Sequence, residues 1–172
     1  PVAAIRLLVL TGARMSEILG LRWEWIDATN GRAHLPDSKT GEKNIIIPPP
    51  ALAVLMEVPR AEDNPYVIQG GKPGAHLVNL KAPWRAIREV AGLDDVRIHD
   101  LRHSFASVGV AGGASLPIIG ALLGHTQPQT TQRYAHLADD PLQVAAASIG
   151  ERISAALGDV QGSGTVMEFK RK

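Results

Sequence analysis

The 172-residue sequence has no cysteine, which excludes disulfides and thiolate metal sites. That composition fits a reducing compartment, so a cytoplasmic location is expected. No apolar run approaches the roughly 20 residues a helix needs to cross a bilayer, and no membrane partner is expected. Charge of either sign is not in excess: 18 Lys and Arg against 17 Asp and Glu leave a net charge of +1. The broadly basic surface that usually attracts nucleic acid is missing, so phosphate binding would need a few arginines converging on one spot. Internal repeats and low-complexity segments are lacking, as are a signal peptide and an initiating methionine. Pro1 runs straight into the helical pattern AAIRLLVL, and a piece of a longer protein is expected. Tyrosine is scarce, with two residues in the chain. What is present is globular in composition, 45% hydrophobic and 20% charged, and long enough for one domain that buries roughly two-thirds of its unfolded surface.

Apolar periodicity around Thr11-Gly12 predicts two helices joined by a tight turn. The turn pairs Asn30-Gly31 and Thr40-Gly41 then separate three short segments, residues 23–28, 32–36 and 44–47, which read as an antiparallel meander. A short helix is expected over 51–57, a surface connection with a brief strand at YVIQ over 63–74, and a helix over 83–91. A further helix should start near His99 or Asp100 and close at Gly112-Gly113. The next has Ser115 as its N-cap, Pro117 in its first turn and Gly124 as its stop. Thr126 to Gln129 has capping-box spacing, predicting that a helix carrying Tyr134 starts there. A last helix is expected over 142–157, followed by a Gly/Ser-containing tail over 158–172. The chain is thus read as mainly α with a small three-stranded antiparallel sheet, an α+β domain over 1–157 with a C-terminal tail.

Several residues are suited to chemistry on a phosphate. Arg14 follows a glycine turn, and Arg102 sits in His99-Asp-Leu-Arg; a guanidinium fork can grip two phosphate oxygens at once. Taken singly, Arg14 is as well explained by a surface pair with Glu17 three residues on. His99 and His103 have the i, i+4 spacing of a metal clamp, but no HExxH pattern accompanies them and the nearby Asp100 lies on another face. Lys39 stands at a hairpin tip, where a lysine is usually just solvated, yet a mobile ammonium there can reach a leaving oxygen. His34, His76 and His136 have no evident partner. Tyr66 lies in a strand-like run and reads as packing. His125 and Tyr134 are nine residues apart, a spacing that on one continuous helix puts them on opposite faces. The TQPQ break should place them on separate helices facing one arginine-lined pocket; the sequence does not fix whether the tyrosine is docked in the free chain.

Together, TGAR with SEILGLRW, SKT on a hairpin, HDLRHSFAS, LLGH and TTQRYAHL, in that order, resemble the tyrosine recombinase, or phage integrase, family across residues 2–137. The resemblance implies that family's catalytic-domain fold and cleavage and rejoining of double-stranded DNA through a 3′-phosphotyrosine. It makes Tyr134 the nucleophile, Arg14, Arg102 and His125 the holders of the phosphate, His99 the acid/base for the tyrosine proton and Lys39 the acid for the leaving 5′-hydroxyl. Glu17 would orient an arginine. No metal or cofactor is implied. A homo-oligomer, a tetramer on DNA, is implied for the full-length protein, with this piece a monomer in solution and the N-terminal DNA-clamping domain lying outside it. A topoisomerase of type IB and a catalytically silent DNA-binding or assembly module are the competing classes, and a His99/His103 metallo-hydrolase a third.

Overall fold

The computed structural model describes residues 1–36, 41–137 and 141–157. The sheet's place beside the first helices is set at the N-terminus. α1 (Val2–Thr11) buries Ala4, Leu7, Leu8 and Thr11, the i, i+3, i+4, i+7 set of one helical face. It stops at Gly12, whose φ of 63° is left-handed and whose N–H returns to the Leu8 carbonyl. α2 (Met15–Leu19) starts one residue after Arg14, and the Glu17 carboxylate accepts the Arg14 N–H at 2.8 Å, the return half of a capping box.

The meander is there, with one change. Trp23–Trp25 forms a 3-10 turn and β1 shrinks to Ile26–Asp27, because the backbone just before it is taken by another partner: the Trp23 N–H donates to the Pro65 carbonyl and Arg22 bridges Tyr66. β2 (Arg32–Leu35) and β3 (Lys43–Ile46) complete an antiparallel sheet of order β1-β2-β3, with Ala33 opposite Ile45 and Leu35 opposite Lys43. Alternation sends Ala33, Leu35, Lys43 and Ile45 inward. α3 (Pro49–Glu57) packs on α1. The YVIQ segment is not a strand; single bridges tie Tyr66 to Arg22 and Gln69 to His76. Val67 and Ile68 are nonetheless buried in the core with Leu7, Ile18, Leu21, Val54 and Leu80.

α4 (Lys81–Ala91) begins two residues earlier than the pattern predicts, since the Asn79 side chain accepts the Lys81 N–H at 3.1 Å and opens the helix there. α5 (Asp100–Ala111) packs on α1. α6 (Leu116–Leu123) has Ser115 at its N-cap position without a side-chain cap bond, Pro117 in its first turn and left-handed Gly124, φ 68°, at its end. The helix expected from Thr126 is instead a single turn, α7 (Gln129–Gln132), led by Pro128. A proline disfavours helical backbone at the residue before it, so helix cannot run through Gln127. Tyr134 therefore lies just past α7, ahead of a 3-10 turn at Ala135–Leu137. α8 (Pro141–Leu157) belongs to a second compact unit, Ala138–Lys172, apart from Pro1–Leu137. Lys39 and the tail over 158–172 lie outside the described residues. Among the described residues no helix is long and apolar enough to cross a membrane.

Gly12 is fixed twice over, by its left-handed φ and by a Cβ position only 2.5 Å from Phe105 Cδ1. Gly12→Ala is expected to lower unfolding stability by about 1–3 kcal/mol, more than Gly113→Ala, where φ is 86° and the space is open. A urea midpoint for Gly12→Ala equal to the parent's would contradict this.

Candidate active site

Arg102 is the most deeply placed of the candidate residues, 5% exposed in the first turn of α5. Its two terminal amino groups donate to backbone carbonyls, Nη1 to Gly12 at 2.5 Å and Nη2 to Leu123 at 2.7 Å. Those are the carbonyl at the end of α1 and the carbonyl of the last residue of α6. Helix C-termini carry unsatisfied carbonyls and partial negative charge, so both ends suit a cation.

Arg14 follows the Gly12 turn. Its Nη1 pairs with Glu17 Oε1 at 2.8 Å and its Nη2 reaches the Gly124 carbonyl at 3.5 Å. The Arg14–Glu17 pair is real, but Glu17 is buried and shared: Lys43 Nζ lies 2.8 Å from Oε2 and 3.3 Å from the Leu123 carbonyl. Burial alone would raise the Glu17 pKa, yet the hydrogen bonds from Lys43 and the Arg14 N–H outweigh it and hold the carboxyl below its ordinary value. Burial pushes Lys43 down, with Glu17 pulling the other way. Lys43 was not singled out in the sequence. Its signal was there as a charge on the inward face of a strand, in step with Ile45 and Ile47, but reading it required knowing which face is inward.

His125 follows Gly124, and its Nδ1 is 2.9 Å from Oγ1 of the buried Thr131. Burial first, then Arg102, Arg14, Arg133 and Lys43, push its pKa down to about 4, so the ring is neutral at pH 7. Tyr134 is docked, 5% exposed, with its hydroxyl 2.5 Å from His103 Nδ1. Burial raises its pKa, with Arg133 and Arg102 opposing. Arg102 thus bears on both His125 and Tyr134, as the single-pocket expectation required, but neither residue sits on a helix.

His99 is the N-cap of α5, and its ring stands edge-on to His103 with centroids 5.1 Å apart. It lines a small cavity with Arg102, Leu8 and Met15. Burial, then His103 and Arg102, lower its pKa. The edge-on rings do not converge as a clamp, and among the described residues no group of three or more His, Cys, Asp or Glu is placed to hold a metal. The structure thus brings together Arg14, Arg102, His125 and Tyr134, with His99 alongside, and adds Lys43, His103 and Thr131. His34 and His76 do have partners, the Asn44 side chain and the Leu77 carbonyl. Tyr66 packs edge-on to His76 with the Arg22 guanidinium over its ring.

Comparison with known proteins places this geometry in context. A family model described as "Phage integrase family" matches residues 2–140. The tyrosine recombinase XerA of Pyrococcus furiosus is 32% identical over 142 residues, covering 77% of this chain and 50% of its own. The tyrosine recombinase XerD of Corynebacterium glutamicum is 34% identical over 155 residues, covering 82% and 49%. The chain spans about half the length of these curated relatives. Among solved structures, the XerH site-specific recombinase bound to difH substrate in a pre-cleavage complex superposes with a TM-score of 0.65 at 25% identity, over 87% of this chain and 46% of that one.

A neutral His125 can be measured directly. In NMR titrations of the free protein its ring is expected to protonate near pH 4, far below the ordinary value of about 6.5. Because the folded pKa is depressed, His125 favours the folded state fully above about pH 6.5 and progressively less as the pH falls toward its folded pKa. Titration at or above the ordinary histidine value would contradict the electrostatic picture.

Proposed function

The chain belongs to the phage integrase family, the tyrosine recombinases, and from that premise we propose that it cuts and rejoins double-stranded DNA at specific sites through Tyr134. The observation that carries the reading is a charge imbalance. Three cations, Arg14, Lys43 and Arg102, share one carboxylate, Glu17, beside His125 and Tyr134. A scissile phosphate supplies the missing negative charge. A guanidinium has five N–H donors, and the carbonyls take two of those on Arg102. The rest, with the N–H groups of Arg14 not directed at Glu17 and Gly124, would serve the non-bridging oxygens and charge that develops in the transition state. Neutral His125, with Nδ1 turned to Thr131, offers its Nε2–H to the same phosphate.

In the proposed step Tyr134 Oη attacks phosphorus, a P–Oη bond forms and the bond to the 5′-oxygen breaks. The buried tyrosine is protonated at neutral pH, so its proton must pass to a base, and the α5 histidines stand there. We assign acid/base work to His99, and protonation of the leaving 5′-oxygen to Lys39. Keeping the phosphate bonded to tyrosine conserves its energy, and a 5′-hydroxyl from another strand reverses the step without ATP. The proposal extends to the whole protein as a homotetramer on two duplexes, working in the cytoplasm. The XerH relative in its complex with difH supports DNA as the partner.

The test is covalent trapping on a pool of nicked duplexes of randomised sequence, in which the short piece carrying the new 5′-hydroxyl is lost on cleavage. The parent chain is expected to become DNA-linked and Tyr134→Phe not at all. Arg102→Lys, which keeps the charge but loses the planar fork that both carbonyls hold, is expected to slow trapping roughly 100-fold or more. Trapping by Tyr134→Phe at the parental level would overturn the nucleophile assignment.

A further inference from the structure

We infer that His103 is a catalytic residue of this site, the immediate acceptor of the Tyr134 proton, an inference that rests on Tyr134 being the nucleophile. The geometry is direct. His103 Nδ1 lies 2.5 Å from the tyrosine oxygen, with no atom between them. Both partners are held from behind. His103 is in the second turn of α5, and the tyrosine backbone is fixed by its N–H to the Thr131 carbonyl and by the Leu137 N–H to its own carbonyl. α5 also packs against the 3-10 turn Ala135–Leu137 that follows the tyrosine. The contact is therefore built by two secondary-structure elements and not by one pliable side chain.

The bond has a direction. For the phenol to donate along this bond, His103 presents a bare Nδ1 and carries its own proton on Nε2, and the proposal assigns it that tautomer. That tautomer is the one a base needs. As Oη attacks phosphorus, the O–H bond breaks and its proton moves to Nδ1, leaving His103 an imidazolium. The P–Oη bond forms, the P–O5′ bond breaks, and the 5′-oxygen takes a proton from the general acid, Lys39. In rejoining, a 5′-hydroxyl attacks, its proton passes to that amine, and His103 returns its proton to the departing phenolate.

His99, given acid/base work above, then acts behind His103 and not on the tyrosine oxygen itself. It sits one turn earlier on α5 and meets His103 edge to face. Four residues separate the two on one helical face, so both belong to one chain of groups leading away from the tyrosine. The titratable groups that face His103 are His99 and Asp100 from α5 and, from the tyrosine segment, Tyr134, which itself feels Arg133.

Two substitutions separate proton transfer from mere anchoring. His103→Asn keeps an acceptor atom close to the Nδ1 position but cannot take a proton, whereas His103→Phe removes both properties. On the nicked-duplex pool, both are expected to form covalent complex about 100-fold more slowly than the parent or worse, with duplex affinity unchanged. Replacing Tyr134 with a fluorinated tyrosine of lower phenol pKa is expected to recover part of the His103→Asn loss, since a more acidic phenol needs less help. His103→Asn at the parental rate, or no recovery with fluorotyrosine, overturns the proposal. In the unsubstituted chain, 15N shifts of His103 are expected to report the Nε2–H tautomer; the Nδ1–H tautomer overturns it whatever the variants do. A His103→Asn chain at full rate beside an inert Tyr134→Phe would remove this inference alone, whereas an active Tyr134→Phe would remove the reading beneath it.

Discussion

Arg102 is a buried cation held by carbonyl oxygens. One belongs to Gly12, at the end of α1, and the other to Leu123, the last residue of α6. Burying a charge costs several kcal/mol unless it is well partnered. Two helix C-termini meet that cost with dipoles, each contributing about 0.3–1 kcal/mol and up to about 2 in partly buried geometry. The consequence is electrostatic. A carboxylate partner would have cancelled the guanidinium's field, whereas carbonyls orient it and leave its net charge in place. The same Leu123 carbonyl also receives Lys43, and the next one along, Gly124, receives Arg14. One helix end thus gathers three cations, from the N-cap of α2, from β3 and from α5.

That gathering explains the neighbouring protonation states. His125, in the field of Arg102, Arg14, Arg133 and Lys43 and partly buried, is kept neutral. Tyr134, buried against α5, is kept protonated although Arg133 and Arg102 work against this. A phosphate entering such a site meets uncompensated positive charge: at about 4 Å and an effective dielectric near 20, each cation attracts one negative charge by roughly 4 kcal/mol. Binding also relieves the repulsion among the cations themselves. The arrangement is preorganised, with the donors fixed by backbone before any substrate arrives, which is the condition under which electrostatic stabilisation of a transition state is largest. The positive charge that matters is therefore local and little of it is answered by carboxylates, so the near-neutral net charge of the chain does not reveal it.

Much of this was legible in the sequence, and the limits have physical causes. Helices announced by apolar periodicity and closed by glycine, α1, α5 and α6, fall where their patterns put them. The arginines and the tyrosine stood out because ordered short motifs carry them. All but one of the misses depend on partners distant in sequence. β1 is short because Arg22 and Trp23 pair with residues 65–66. α7 is a single turn because Pro128 restricts Gln127, a local rule that capping-box spacing at Thr126 obscured. Lys43 reads as a surface lysine until the sheet register turns it inward. His99 stands three residues before Arg102 and His103 directly after it, and only the docking of the Ala135–Leu137 turn on α5 brings the tyrosine to His103. The carbonyls that hold Arg102 are invisible to any reading of side chains.

The central claim is that this pocket directs a DNA phosphate onto the Tyr134 oxygen, and the adduct itself is the most direct witness. Tryptic cleavage after Arg133 places Tyr134 at the start of a peptide running to Arg152, in which Ser148 is the one other hydroxyl-bearing side chain. Tandem mass spectrometry of the nuclease-trimmed DNA–protein adduct should find the phosphonucleotide on Tyr134. Its attachment to Ser148, to Tyr66 or to any other residue would contradict the account.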